Sequence, residues 1–329
     1  MTTVVITGAG AGVGRATARA FAARGANLAL IARGTDGLKA AVDEVERAGG
    51  RALAFEADVA DAQAVEDATG AIESQLGPID VWVNNAMTSV FSPVHELTAA
   101  EVRRVTEVNY LGYINGTLCA LSRMRARGHG TIVQVGSALA YRAIPLQAAY
   151  CGAKHAVEGF TQSLRCELLH ERSPVRVTMV HLPAINTPQF DWVRTRLPGR
   201  PRPVPPVFQP EVAAKAIVWA SLHAPRELKV GWPTVRAVYL DRVLPGRLDR
   251  YLAEHGYAEQ QSGEPVERDR HDNLLQPLAG DRGAHGRFDS ESRAASRLLD
   301  ARLALGDALA AVRRRSRTQA PPPVVLDAS

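Results

Sequence analysis

The sequence predicts an α/β fold: a doubly wound parallel sheet in a single domain over residues 1–240, with a C-terminal extension over 241–329. Three observations carry that expectation. Short β-branched runs alternate with longer helical stretches through residue 185, the rhythm of βαβ units. The first run leads directly into a glycine-rich turn at residues 7–14. Beyond about residue 240 the alternation stops and acidic and basic residues balance.

Six strand candidates lie at 3–7, 28–31, 52–55, 81–83, 131–135 and 175–180, each largely apolar, as strands covered on both faces are. Helical patterns near 12–25, 35–48, 61–76, 98–127 and 147–172 fill the intervals. Such a sheet places its ligand crevice at the carboxyl ends of the strands. Residues 187–210 hold seven prolines and read as a long loop over that crevice, a lid. Its Phe190 and Trp192 are candidate substrate contacts; its arginines 194, 196, 200 and 202 either meet an acidic ligand or are solvated. A helix at 210–222 and a last strand near 234–240 follow. In the extension, Leu298, Leu305, Leu309 and Val312 recur at helical spacing and predict an amphipathic helix docked on the body or on a second subunit. The tail 316–329 reads as disordered.

With 329 residues, 46% hydrophobic and 22% charged, the chain has enough apolar surface for a full core. Its three cysteines form no C-x-x-C pair, so neither a disulfide framework nor a metal site is expected. No basic stretch leads into an apolar core at the N-terminus, and no apolar run approaches the roughly 18 residues of a membrane span, so a cytoplasmic protein is expected. The net charge of +5 is scattered, with only Arg313, Arg314, Arg315 and Arg317 in a tight run, and no nucleic-acid partner is expected. Membrane contact through 235–257 is not expected either, because Asp241, Asp249 and Glu254 interrupt its basic face.

The chemistry is concentrated in a few places. Thr7, Gly8, Gly12, Val13 and Gly14 form a turn between a strand and an alanine-rich helix, where glycine lets the backbone approach a pyrophosphate at a helix N-terminus. About twenty residues on, where an acidic residue binds a ribose 2′-hydroxyl, stands Arg33, which suits a 2′-phosphate. This favours NADP(H), with NAD(H) as the alternative. Tyr150 and Lys154 lie four apart on one helix face, so that the ammonium lowers the phenol's pKa and Tyr150 can exchange a proton with a carbonyl or alcohol oxygen. Ser137 ends the fifth strand thirteen residues earlier, its hydroxyl toward the crevice.

With these residues in hand, the chain over roughly 2–240 resembles the short-chain dehydrogenase/reductase family. Thr7, Gly8, Gly12 and Gly14 match its T-G-x-x-x-G-x-G spacing, and Tyr150-x-x-x-Lys154 with Ser137 and Asn109 matches its catalytic centre. The resemblance implies Asp58 and Val59 beside the adenine, Asn85 and Ala86 at the ribose, and Pro183, Ile185 and Thr187 by the nicotinamide. It also implies that Lys154 holds the ribose hydroxyls, that Asn109 holds a water in a proton relay, and that the chain forms a homodimer or homotetramer around a small-molecule substrate. Three departures stand out: Met87 where the family has glycine, Ala184 after Pro183, and Gly136 before Ser137. They predict an altered pocket rather than lost chemistry, Met87 being a candidate pocket wall. The implied activity is hydride transfer between a nicotinamide and a carbonyl or secondary alcohol. The alternatives are an epimerase or dehydratase, which the glycine spacing opposes, and a cofactor-binding sensor or scaffold, which the complete tetrad opposes.

Overall fold

The computed structural model describes residues 1–267 and 270–318. Seven parallel strands, β1 (Thr3–Thr7), β2 (Asn27–Ala32), β3 (Arg51–Glu56), β4 (Ile79–Asn84), β5 (Thr131–Ser137), β6 (Arg176–Leu182) and β7 (Glu227–Lys229), pair in the order β3-β2-β1-β4-β5-β6-β7. The chain reverses direction across the sheet between β1 and β4, and the crevice opens there. Alternate side chains serve opposite faces. Val4 and Ile6 pack with α1 (Gly12–Ala22), α2 (Thr35–Arg47) and α7 (Pro210–His223), whereas Val5 packs with α3 (Ala62–Leu76), α5 (Gly112–Arg127) and α6 (Ala148–His170). Both faces are thereby covered, which is why the strands read as unbroken apolar runs.

The remaining helices of eight residues or more among the described residues are α4 (Ala99–Thr106), α8 (Gly231–Val243), α9 (Pro245–His255) and α10 (Arg297–Thr318). The stretch expected as one helix over 98–127 is α4 and α5 joined by a π-helical turn, Glu107–Leu111. The last sheet strand is β7, and the expected strand at 234–240 lies within α8. Val235 and Val238 are three apart and both buried, and Thr234 Oγ1 donates to the Val230 carbonyl at 2.8 Å, a helical pattern that short apolar stretches do not distinguish from a strand.

Helix α10 docks, but by a different face from the one expected. Leu299 and Leu303 are buried against the α7 side of the sheet, while Leu305, Leu309 and Val312 are exposed. Its first turns meet the body: at Gly306 a Cβ would lie 2.3 Å from the Trp219 ring, and Trp219 Nε1 donates to Asp307 at 2.8 Å. Of the expected disordered tail, residues 316–318 are in α10 and 319–329 lie outside the described residues.

The loop at 187–210 is pinned. Phe190, Val193 and Leu197 are buried with Phe91, Leu146 and Phe288. Its arginines are paired: Arg194 with Asp272 and Glu101, Arg196 with Glu101, Arg200 with Glu264 and Arg202 with Glu291. Three of these acids belong to the extension, so the loop is sandwiched between the sheet body and the C-terminal chain.

Candidate active site

The catalytic candidates converge because three elements end at the same place. Ser137 closes β5, and α6 carries Tyr150 and Lys154 one turn apart on the face that meets it. All three line a cavity of about 460 Å³ at the carboxyl ends of the strands, together with Gly8, Gly12 and Val13 of the glycine turn. Lys154 Nζ is buried and donates to Tyr113 Oη and to the Val135 carbonyl, both at 2.9 Å, and it stands 5.7 Å from the centre of the Tyr150 ring. Two of its three N–H donors are thus committed to the scaffold and one is left for the cavity.

Burial governs the ionisation here. It pushes the Lys154 ammonium down to about 7. It pushes the Tyr150 phenol up, with a hydrogen bond to Ser137 acting in the opposite sense. The neighbouring Cys151 is pushed up by burial to about 11, so it is a thiol at neutral pH and packs as a small apolar residue.

Asn109 lies behind this group and is fully buried. The π-helical turn re-aims it: its Oδ1 accepts from Thr88 N at 2.8 Å and its Nδ2 donates to the Thr88 carbonyl at 2.7 Å. The amide oxygen and the amide nitrogen each make one hydrogen bond to Thr88, so the side chain latches the chain that follows Met87. Tyr113, one turn further along the same helix, went unsingled in the sequence. Its signal was the four-residue spacing from Asn109, and its hydroxyl bridges Lys154 Nζ and the Val135 carbonyl.

The glycine turn fits a pyrophosphate. Gly8 has φ +66°, and a Cβ there would lie 2.7 Å from Ala86 Cα; a Cβ on Gly14 would lie 2.2 Å from the Gly8 carbonyl oxygen. No acidic residue stands in the first turn of α1. Thr7 Oγ1 accepts from the backbone N–H of Asn85 and of Ala86, and Asn85 Nδ2 donates back to the Thr7 carbonyl, locking the ends of β1 and β4 together. Pro183, Ile185 and Thr187 line the same cavity.

Of the three departures, Ala184 has no positive φ and so needs no glycine. Gly136 is required, because a Cβ would lie 2.8 Å from His181 Nδ1. That histidine belongs to a buried cluster with Glu158 and Glu227, in which Tyr141 donates to Glu227 and Lys229 Nζ lies 2.8 Å from it. The lysine supplies a cation to Glu227. Met87 lines the cavity, as do Trp192 and Phe190, although Phe190 is largely held among Phe91 and Phe288 at centroid distances of 6.2 and 5.7 Å.

Arg33, Asp58 and Val59 line a second cavity of about 170 Å³. Gly8, Ala11, Ala86, Met87, Trp192 and Asn273 face both cavities, so the two are ends of one cleft. Asp58 is held by Arg104 at 2.5 Å and accepts from Ala60 N at 3.0 Å. The far wall of this end was invisible in the motifs: it is the extension, through Asn273, Pro277, Leu278, Gly280 and Arg282.

Known proteins resemble this chain in sequence and in fold. Residues 2–197 match the family model for short chain dehydrogenases. The chain is 33% identical over 264 residues to the uncharacterized oxidoreductase YxnA of Bacillus subtilis, covering 80% of this chain and 74% of that one. It is similar in structure to an alcohol dehydrogenase from the archaeon Thermococcus sibiricus complexed with 5-hydroxy-NADP, with a TM-score of 0.60, 29% identity, and coverage of 70% of this chain and 95% of that one. It is likewise similar to a metagenomic short-chain oxidoreductase in complex with NADP, with a TM-score of 0.59, 26% identity, and coverage of 70% and 96%. Fold, cradle and sequence agree: this oxidoreductase, with its nicotinamide-cofactor cleft, belongs to the short-chain dehydrogenase/reductase family.

Proposed function

We propose that the protein is an NADP(H)-dependent oxidoreductase that interconverts a carbonyl compound and a secondary alcohol, with Tyr150 as its general acid and base. The observation that carries this reading is the convergence of Ser137, Tyr150 and Lys154 on a cavity that also contains the glycine cradle. The bound nicotinamide supplies or accepts the hydride. Ser137 holds the substrate oxygen beside Tyr150. In reduction Tyr150 donates its phenolic proton to that oxygen, and in oxidation it removes the proton. Lys154, when charged, favours the phenolate through its field, and its remaining N–H reaches into the cleft toward a ribose hydroxyl. Tyr113 and the Val135 carbonyl fix the lysine, and Asn109 fixes the chain at Thr88 that borders Met87.

Arg33, in place of an acid at the end of β2, supports NADP(H) over NAD(H), as do the NADP-type ligands of the two similar structures. Leu139, Ile144, Leu240, Leu248 and Leu252 on the cavity wall support a largely apolar substrate. The test is NADPH consumption against ketones, aldehydes, quinones and steroids by the wild type and Tyr150→Phe. The expected outcome is turnover reduced by about 100-fold or more in the variant, with NADPH binding unchanged. Turnover in the variant equal to wild type would refute the assignment of Tyr150.

A further inference from the structure

The wall of the adenosine end of the cleft carries two arginines, Arg33 and Arg282, and one acid, Asp58. Asp58 is held by Arg104, Asp281 by Arg15, and Asp36 accepts the Gly280 N–H at 2.6 Å. Two guanidinium groups on the cavity wall have no carboxylate contact among the described residues. Arg33 donates to three carbonyls of the extension, those of Asn273, Leu274 and Leu275, at 2.6, 3.4 and 3.0 Å. Arg282 lines the same cavity from the extension, with a 3.4 Å hydrogen bond to the Ala279 carbonyl. Burial and the nearby Arg104 both act against the charge on Arg33, and Asp58 offsets only part of this, so an anion beside Arg33 relieves a standing cost.

The segment that delivers Arg282 is firmly seated. Leu274 is fully buried with Val90 and Val105. Asp281 pairs with the buried Arg15 at 3.1 Å. Gly283 accepts from the N–H of Gly12 at 3.0 Å, which ties the strap to the glycine turn itself. The chain from 273 to 286 thus crosses the cleft above the adenosine end and presents Arg282 to it from outside the family's matched region, 2–197.

We propose that Arg282 is a second residue for a ribose 2′-phosphate, so that the C-terminal extension sets the preference for NADP(H) jointly with Arg33. This rests on the NADP(H) reading above. Two arginines on the wall of one cavity give a phosphate monoester charge-assisted hydrogen bonds that an unphosphorylated ribose cannot make. The discrimination therefore comes from residues 249 positions apart in sequence.

The test is the dissociation constant of NADPH and of NADH, read from nucleotide fluorescence, for the wild type, Arg33→Ala, Arg282→Ala and Arg282→Lys, with adenosine 2′,5′-bisphosphate, adenosine 5′-monophosphate and inorganic phosphate as competitors. Arg282→Ala is expected to weaken NADPH about tenfold, or about 1.4 kcal/mol, and to leave NADH unchanged. Arg282→Lys is expected to fall between, and the bisphosphate to compete better than the monophosphate in the wild type only. Arg282 is exposed, and thermal melting of each variant checks that the fold is kept. Loss of preference in Arg33→Ala but not in Arg282→Ala overturns the role of the extension and leaves the NADP(H) reading standing. A wild type that binds NADH as tightly as NADPH overturns both, and equal weakening of NADPH and NADH in Arg282→Ala marks a structural contact. Competition by inorganic phosphate equal to that by the bisphosphate assigns the site to free phosphate and overturns the proposal.

Discussion

The two ends of the cleft are built in different ways. At the nicotinamide end, Ser137, Tyr150 and Lys154 come from one strand and the next long helix, within eighteen residues of sequence. At the adenosine end, Arg33 at the close of β2 meets Asn273 and Arg282 from a segment some 240 residues away. The first end is fixed by local elements packed on a buried sheet. The second needs tertiary contacts to exist at all. The difference teaches that chemistry can be encoded in a motif, whereas the fit around it is assembled from whatever chain the fold brings past.

The sharpest way to break the comparison is Lys154→Met. If the nicotinamide end alone carries the chemistry, turnover falls by about 10²–10⁴-fold, measured as NADPH oxidation at saturating substrate, while the adenosine end still binds nucleotide. The same variant makes a stability prediction with a definite sign. Lys154 titrates in the fold at about 7, below its ordinary value. Between that pH and its unfolded value the unfolded chain holds the extra proton, so this lysine's cost is full below about 7 and is relieved as pH rises. Lys154→Met should therefore raise the melting temperature most at pH 6, and its advantage should shrink by pH 9. A constant offset between those pH values would mean that the lysine is not desolvated as the fold implies.

This contrast also explains what could be read from the sequence. The parallel sheet was legible because strands with both faces covered are apolar without interruption, and the cradle because Gly8 and Gly14 stand where no side chain fits. Tyr150 and Lys154 were legible because helical spacing alone stacks them. The hydrogen bonds of Asn109 to Thr88 were not, since they depend on a π-helical turn. The strap was illegible for a stronger reason. Many of its anchors are main-chain groups, those of Asn273, Leu274, Leu275 and Gly283, and hydrogen bonds to carbonyls and amides leave no trace in side-chain identity. The docking face of α10 failed similarly: the longest leucine series marked an exposed stripe, and Leu299 and Leu303 were selected by the shape beside Trp219.

The next effect in size tests whether the extension and the sheet body fold as one unit. Leu274 is fully buried, and Leu274→Ala should cost about 2–5 kcal/mol locally, as buried leucine deletions do. Hydrogen exchange should then speed up across 273–286 while β1, β4 and β5 stay protected. Acceleration spread evenly over the sheet would show that the two ends of the cleft share one cooperative core, and the contrast between them would be one of position only.

The smallest effects separate ion pairs that hold the pinned loop. Glu101 is buried between Arg194 and Arg196. Burial would raise its carboxyl, yet hydrogen bonds from Arg196 and Thr98 hold it at about 2. Its contribution is therefore present above the ordinary carboxylate range and is lost as pH falls toward 2. Glu101→Gln should cost about 1–3 kcal/mol at pH 7 and much less at pH 3, by chemical denaturation. Glu264 pairs with Arg200 in the same loop, but both side chains are more than a third exposed, at 66% and 40%. Glu264→Gln should cost under about 1 kcal/mol, and salt should erase even that. Equal costs would mean that the loop is held by charge wherever charges meet. The expected inequality follows from the body side, where Glu101 is desolvated and capped by Thr98, while the extension side of the same loop rests on apolar contacts such as Phe288 against Phe190.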